Sequence, residues 1–467
     1  MPSAPFYKEM TAGMFSGKKD ISQCLRLVEE DKAITSPAAK LPYYPLVVRR
    51  GRGAVVEDID GNSYLDMLSS AGAINTGHCH PKVVEAIKKQ TEELILYTHV
   101  YMYHEPIIAL TKELISITPG DYRKRAYYGL AGSDANDGII KLARIATGRP
   151  KILAYLRAYH GSTYGALSMS AVSLPMHRKL GPLLPDIYHV PYPDPYRPPF
   201  PGMTEDEVAD FAIEQIRIAF STNIPPDETA AIVIEPIQGD AGLVVPPKKY
   251  MQSLRKLCDE YGILLVSEEV QQGFGRTGKW FGIENFDVVP DAIVMGKAIA
   301  SGLPLGAVVA RADIMEKWEA PAHLFTAAGN PVCCAAALAT ISVIREENLM
   351  ENALSVGGHI KNRFLEMQKK YEIIGDVRGI GLSIGVDLVK DRDTKERHGE
   401  AAAKICYRAW ERGLLLSFFS GGVLRIQPPL VMTREQADQA LDIIEESFQD
   451  FFSGDIPDSI FDTVKGW

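Results

Sequence analysis

Between residues 80 and 330 the chain alternates short apolar runs with helix-forming stretches, and this alternation restricts it to few folds. The runs lie at residues 151–155, 231–234, 263–266 and 292–295. They are largely apolar, without the polar alternation of a half-exposed strand. That is the pattern of strands buried on both faces of a mostly parallel sheet. Residues 81–94 predict a helix with Pro81 in its first turn, where a missing N–H costs nothing. Residues 133–147 predict another. Strands that alternate with helices specify an α/β domain. Residues 191–201 hold six prolines and predict an irregular surface excursion.

The flanking segments read differently. Two apolar runs, 54–59 and 63–68, are separated by Asp60-Gly61-Asn62, whose glycine supplies the positive φ of a tight hairpin. Residues 332–346 predict a long helix leading out of the α/β region. The remainder mixes helix and strand signals and ends in a helix over 434–452. Its Ala437, Ala440, Leu441, Ile444 and Phe448 recur at helical spacing. A chain of 467 residues exceeds one small core. The expected architecture is therefore a large α/β domain with a mostly parallel sheet plus a smaller α+β domain. The expected boundaries are an N-terminal segment, 1–65, packing with the small domain; a large domain, 66–330; and a C-terminal small domain, 331–467. Within the first segment, residues 1–41 are polar and mixed and are expected to wrap onto the body.

Composition narrows the partners. The chain carries 50 Lys and Arg against 59 Asp and Glu, so no basic excess drives binding to a phosphate backbone, and no nucleic-acid partner is expected. No apolar stretch reaches bilayer-spanning length, so no membrane partner is expected. Residues 1–20 lack the apolar core of a signal peptide. The six cysteines show no CxxC spacing, which argues against a zinc site or a disulfide framework. A cytoplasmic location with reduced thiols and no bound metal is the expectation.

In open α/β sheets, ligands sit at the carboxyl ends of the strands. Tyr159 and His160 follow the first run; Glu235, Gln238 and Asp240 follow the second. Glu268, Glu269, Val270 and Gln271 follow the third, and Gly296 and Lys297 the fourth. If the strands are neighbours, carboxylates, an amine and an aromatic ring converge on one cleft. A desolvated lysine there is a nucleophile toward aldehydes. Gly132 and Ser133 open the 133–147 helix, with Ser133 expected to cap it, and a helix N-terminus of this kind accepts a phosphate. Gly273-Phe274-Gly275-Arg276-Thr277-Gly278 fits G-x-G-x-x-G, but no crossover helix follows at 279–286, so a nicotinamide dinucleotide site is not expected.

Taken together, these stretches resemble the class III, fold-type I aminotransferase family of pyridoxal phosphate enzymes. Asp60-Gly61-Asn62, Gly77-His78-Cys79-His80-Pro81, Gly132-Ser133-Asp134-Ala135-Asn136, Tyr159-His160-Gly161, the run from Glu269 to Gly278, Gly296-Lys297, the run from Thr326 to Pro331, and Arg425 all match, in family order. The resemblance implies pyridoxal 5′-phosphate held as a Schiff base on Lys297. It implies Gly132 and Ser133 on the phosphate, Tyr159 on one face of the ring, Val270 on the other, and Gln271 on the phenolic oxygen. Arg425 is implied for the substrate carboxylate. Thr326 is implied to reach the phosphate of a partner subunit's site, so at least a homodimer is expected. Two departures stand out. Glu268 occupies the place of the family's aspartate on the ring nitrogen and is one methylene longer. Ser162 occupies the place of an arginine carried by members acting on 4-aminobutyrate.

The family resemblance leaves the reaction open. Transamination needs one acid/base on one face of the substrate α-carbon; racemisation needs a second on the opposite face. The family usually has glutamate where this chain has Asp240, which either orients its loop or serves as that second group. Tyr159-His160-Gly161-Ser162-Thr163-Tyr164-Gly165, the stretch from Ala320 to Thr326, and Leu424-Arg425-Ile426-Gln427-Pro428-Pro429-Leu430 look like the branch of bacterial isoleucine 2-epimerase and broad-specificity amino-acid racemases. That branch implies Lys297 and Asp240 as a two-base pair acting on a neutral, apolar amino acid. An aminotransferase is the alternative. A pyridoxal-fold sensor of a transcription regulator is a third reading, for which the short N-terminus leaves no DNA-binding module.

Overall fold

The computed structural model describes residues 19–464 and residue 466. The first 18 residues of the segment expected to wrap onto the body lie outside the described residues. The chain divides into two compact units, one of Met1–His80 with Glu346–Trp467, the other of Pro81–Arg345.

In chain order, the first unit opens with α1 (Ser22–Ile34), β1 (Val48–Arg52), β2 (Val55–Asp58) and β3 (Ser63–Asp66). The expected hairpin pairs β2 with β3, Val56 facing Tyr64, and Gly61 takes a φ of +92°. Asp58 holds the turn: its Oδ1 accepts from the backbone N of Asp60 (3.0 Å) and of Asn62 (2.8 Å).

The second unit contains α2 (Pro81–Glu93), α3 (Glu105–Ile117), β4 (Lys124–Gly129), α4 (Gly132–Thr147) and β5 (Lys151–Tyr155). It continues through β6 (Ile187–Val190), α5 (Glu205–Thr222), β7 (Thr229–Ile234), α6 (Lys248–Tyr261), β8 (Leu264–Glu268), β9 (Ala292–Met295) and β10 (Gly306–Arg311), and closes with α7 (Pro331–Glu346). Its sheet has the order β4-β10-β9-β8-β7-β5-β6. Only β10 runs against its neighbours. The central strands are buried throughout, which is why their sequences carry no alternation. Ile152, Val233, Val266 and Val294 pack with Ile139, Ile140 and Leu142 of α4 in one cluster. Each such side chain contributes about 1.5–3 kcal/mol on burial.

Helix α4 starts one residue before Ser133, and its cap is not Ser133. Asp134 accepts from the backbone N of Leu130 and Ala131 (2.6 and 2.7 Å), while the Ser133 Oγ accepts from Ser162 N (3.2 Å). The hydroxyl is thereby drawn toward the loop after β5. The helix ends at Gly148, φ +70°, the left-handed position that favours glycine.

Back in the first unit, α8 (Leu349–Lys370), β11 (Ile374–Ile380), β12 (Ser383–Leu388), α9 (Gly399–Glu411), β13 (Leu414–Leu415), β14 (Ser417–Phe419), β15 (Val423–Ile426) and α10 (Arg434–Phe452) follow. They complete two four-stranded sheets, β1-β2-β3-β13 and β11-β12-β15-β14. Ala437, Ala440, Leu441, Ile444 and Phe448 of α10 are buried, as their spacing predicts.

The proline-rich segment 191–201 is irregular but not wholly at the surface. Pro193 and Asp194 are buried, and the Tyr192 hydroxyl donates to the Glu235 carbonyl (2.9 Å). Among the described residues, no helix is long and apolar enough to cross a membrane.

Candidate active site

The order β9-β8-β7-β5 sets four parallel strands side by side, so the segments leaving their carboxyl ends are neighbours. These are the segments that carry Tyr159 to Ser162, Glu235 to Asp240, Glu268 to Gln271, and Gly296 with Lys297. The start of α4 joins them. Besides the Ser133–Ser162 bond, the Asn136 Nδ2 donates to the His160 carbonyl (2.8 Å).

Close approach of backbone explains the glycines. A Cβ on Gly132 would lie 2.7 Å from a Val270 methyl, and one on Gly296 would lie 3.0 Å from Gly132 N. At Gly161, φ is +136° and a Cβ would overlap the Ser133 Oγ. Lys297 itself sits in the left-handed region, φ +44°, at the head of a short 3₁₀ turn. A non-glycine residue held there is strained, and such strain persists only where the surroundings impose it.

Glu235 ties two loops together, one oxygen accepting from Tyr159 N (3.1 Å), the other from Gly239 N (2.8 Å). Glu268 is 3% exposed and accepts from Val270 N (3.2 Å). Burial lifts both carboxyls well above the usual carboxylate range. At Glu268 the Lys297 ammonium opposes that lift and the Asp240 charge adds to it. The neighbouring Glu269 is pushed up to about 8 by burial, against hydrogen bonds from Ile283 N, Gly282 N and Ser267. Asp240 is 8% exposed. The His160 ring is buried, with neither nitrogen hydrogen-bonded, and its Nδ1 stands 3.8 Å from a Glu268 oxygen. Burial lowers its pKa and keeps the ring neutral.

The remaining expected residues place as follows. The Tyr159 hydroxyl stands 3.3 Å from the Ser162 Oγ. Gln271 is buried against Gly239, where a Cβ would overlap its amide. Thr326 is exposed, in the turn before α7. Arg425 belongs to the other unit: it lies on β15, buried, its guanidinium carbon 3.3 Å from the Phe419 ring centroid. The run Gly273 to Gly278 forms turns, and a 3₁₀ segment, Gly282–Phe286, follows in place of a crossover helix, so it lacks the helix N-terminus of a dinucleotide site. Sequence reasoning assigned no role to Asn136 or to the Glu235 clamp. The position of Glu235 at the end of a buried strand was the available signal.

The donor set suits one kind of cofactor. An amine accepts an aldehyde, the N–H groups opening the 16-residue α4 accept an anion, and a buried carboxylate at Glu268 retains its charge best beside a protonated ring nitrogen. Two buried, unpartnered imidazole nitrogens are left beside that carboxylate.

Residues 36–448 match the family model for class III aminotransferases. The chain is 48% identical to isoleucine 2-epimerase of Lentilactobacillus buchneri over 94% of this chain and 97% of that protein. It is 45% identical to leucine/methionine racemase of Thermococcus litoralis over 94% and 99%. Among solved structures, an amine transaminase from an uncultivated Pseudomonas species, in its PLP-bound form, superposes with a TM-score of 0.82 at 30% identity over 89% of this chain and 97% of that one. With the family model covering most of its length, the chain belongs to the class III aminotransferases.

Proposed function

We propose that this chain is a pyridoxal phosphate-dependent racemase or epimerase that inverts the α-carbon of a neutral, apolar amino acid. The observation that carries the two-base reading is the strand order. Asp240 and Lys297 follow β7 and β9, the two strands that flank β8, whose last residue is Glu268. An amine and a carboxylate are therefore available about one reaction centre. The relatives at 48% and 45% identity bear the names of an epimerase and a racemase, which supports inversion over transamination.

When bound, pyridoxal phosphate supplies an electron sink that acidifies the α-hydrogen of an amino acid. Lys297 holds the cofactor and moves a proton at its Nζ on one face of the α-carbon. Asp240 moves a proton at its carboxylate on the other face. Glu268 would pair with the ring nitrogen and favour its protonated form, with the buried His160 ring beside it. Gly132 and Ser133 receive the phosphate at the head of α4. Tyr159 and Val270 would hold the cofactor ring, and Gln271 would hydrogen-bond its phenolic oxygen. Arg425 pairs with the substrate carboxylate, for which its planar fork is suited. Ser162 offers no charge to a distal carboxylate, which favours neutral side chains. The chain self-associates at least to a dimer, with Thr326 serving a partner's phosphate.

The test is a solvent-exchange assay. Incubated with L-isoleucine or L-leucine in deuterated water and no keto acid, the protein should yield deuterated product inverted at the α-carbon. Turnover only with a keto acid, with no inversion, would establish an aminotransferase instead.

A further inference from the structure

We propose that His99 is a positioning residue: its ring fixes the turn that presents Thr326, and thereby sets how tightly a partner subunit holds the cofactor phosphate. The inference rests on the role of Thr326 given above.

Thr326 is exposed, and it lies in a turn closed by the bond from Ala328 N to the Phe325 carbonyl (3.3 Å). A second turn overlaps it, Asn330 N donating to the Ala327 carbonyl (3.2 Å). Both bonds stand at or beyond the long end of the normal range, so they hold the turn loosely. Downstream the chain is secured at the head of α7, where the Asn330 Oδ1 accepts from Val332 N (2.8 Å) and Cys333 N (3.3 Å). An exposed hydroxyl serves a phosphate well only if the backbone that carries it is fixed.

His99 supplies that hold. Its Nδ1 donates to the carbonyl of Ala328, the last residue of the Thr326 turn, at 2.7 Å. A carbonyl only accepts, so Nδ1 carries the proton, and the bond needs no charge on the ring. The ring is itself restrained: it meets Tyr128 edge to face, with centroids 6.5 Å apart and planes at 78°. The Tyr128 hydroxyl is hydrogen-bonded to the Thr111 hydroxyl of α3 (2.8 Å). Helix α3 also seats the turn. A Cβ on Gly329 would lie 2.5 Å from the Ile107 Cδ1, so the backbone just after Ala328 rests directly on this helix. His104 caps α3, its Nδ1 accepting from Ile107 N (3.4 Å). Tyr128 lies on β4, which leads through Leu130 and Ala131 to Gly132. The His99 ring thus ties the Thr326 turn to the strand that enters the chain's own phosphate cradle.

Cofactor binding tests the assignment without turnover. The full-length chain, freed of cofactor, is titrated with pyridoxal 5′-phosphate and with pyridoxal, which lacks the phosphate. His99→Phe keeps an aromatic ring beside Tyr128 and loses the donor. His99→Asn loses the ring and keeps an N–H near the place of Nδ1. His99→Phe should weaken pyridoxal 5′-phosphate about tenfold, the upper range for one hydrogen bond, and pyridoxal by less than about twofold. His99→Asn should bind pyridoxal 5′-phosphate within about threefold of the parent. Combined with Thr326→Ala, His99→Phe should add little further loss, because both changes act through one contact. Parent-like binding of pyridoxal 5′-phosphate by His99→Phe, an equal loss for both ligands, no rescue by asparagine, or additive losses in the double variant overturns the assignment. Thr326→Ala separates the two levels of the argument. Parent-like binding by that variant refutes the role of Thr326 and the clip with it, whereas a loss there beside parent-like His99→Phe refutes the clip alone. Neither result bears on the racemase reading, since nothing in the titration is turned over.

Discussion

Replacing Asp240 by asparagine separates the two faces of the reaction. The substitution keeps shape and volume but removes the proton acceptor. Several bonds that do not involve the carboxylate close the loop: Gln238 and Val244 pair backbone to backbone, Gly242 N and Leu243 N both donate to the Gly239 carbonyl at 3.0 Å, and Gly239 N is held by Glu235 at 2.8 Å. The variant should therefore fold and load cofactor. A positioned acid/base group contributes about 10²- to 10⁴-fold, so inversion should slow by that factor, a barrier increase of about 3–5 kcal/mol. The Lys297 face is untouched, so exchange of the α-hydrogen of one enantiomer with solvent should persist with its configuration retained. A second readout is electrostatic. Asp240 raises the pKa of both Glu235 and Glu268, so its neutralisation should shift the pH profile of the residual exchange toward lower pH. The assay is proton NMR of α-hydrogen loss in deuterated water, run beside chiral chromatography of the same samples. Parent-like inversion by Asp240→Asn would falsify the two-base assignment. Loss of exchange for both enantiomers would refute the division of faces.

Borohydride reduction of the holoenzyme should fix the cofactor on Lys297, read by peptide mass spectrometry; a label on any other lysine removes the site assignment. Arg425→Lys should raise KM for the amino acid about 10- to 100-fold while cofactor affinity changes little, since a point charge cannot reproduce a bidentate contact; equal losses in both would make Arg425 structural. Gly161→Ala meets both a left-handed φ and the Ser133 Oγ, so cofactor retention after dialysis should drop at least about tenfold; unchanged retention would separate that contact from the phosphate site. Stability should also depend on pH. Burial raises the Glu268 pKa in the folded state, so the native protein holds a proton that the unfolded chain has lost. Stability from this group is full below the ordinary carboxylate range and falls as pH rises above it. In cofactor-free protein, the Tm of Glu268→Gln should thus gain on that of the parent between pH 5 and 8, and a constant difference would contradict the shift.

What the sequence made legible followed from local rules. Strands buried on both faces must be apolar along their length, and β5, β7, β8 and β9 were readable for that reason. The hairpin at Gly61 and the amphipathic stripe of α10 are equally local. The errors came where two local solutions were equivalent or where a distant partner decided. Ser133 and Asp134 are both good caps for α4. Only the approach of Ser162 N, from a different strand, commits the serine elsewhere and leaves the cap to the aspartate. The proline-rich segment reads as surface until the Tyr192 hydroxyl finds the Glu235 carbonyl.

The same distinction explains why Glu268 can stand where a shorter carboxylate is usual. Its neighbours in space come from four separate segments: Val270 N, the neutral His160 ring, Lys297 and Asp240. An isolated buried glutamate would take up a proton and lose its charge. Here Lys297 favours the ionised form, while Asp240 disfavours it and His160 carries no charge to add. Burial outweighs the Lys297 charge and holds the proton on the group, and a further cation beside the carboxylate favours ionisation. A protonated ring nitrogen is such a cation, and it costs the site no new buried charge of its own because Glu268 neutralises it. The extra methylene then changes reach rather than chemistry, provided the carboxylate is fixed at its far end. The backbone of Val270 supplies that restraint, and the buried His160 ring stands 3.8 Å from the carboxylate.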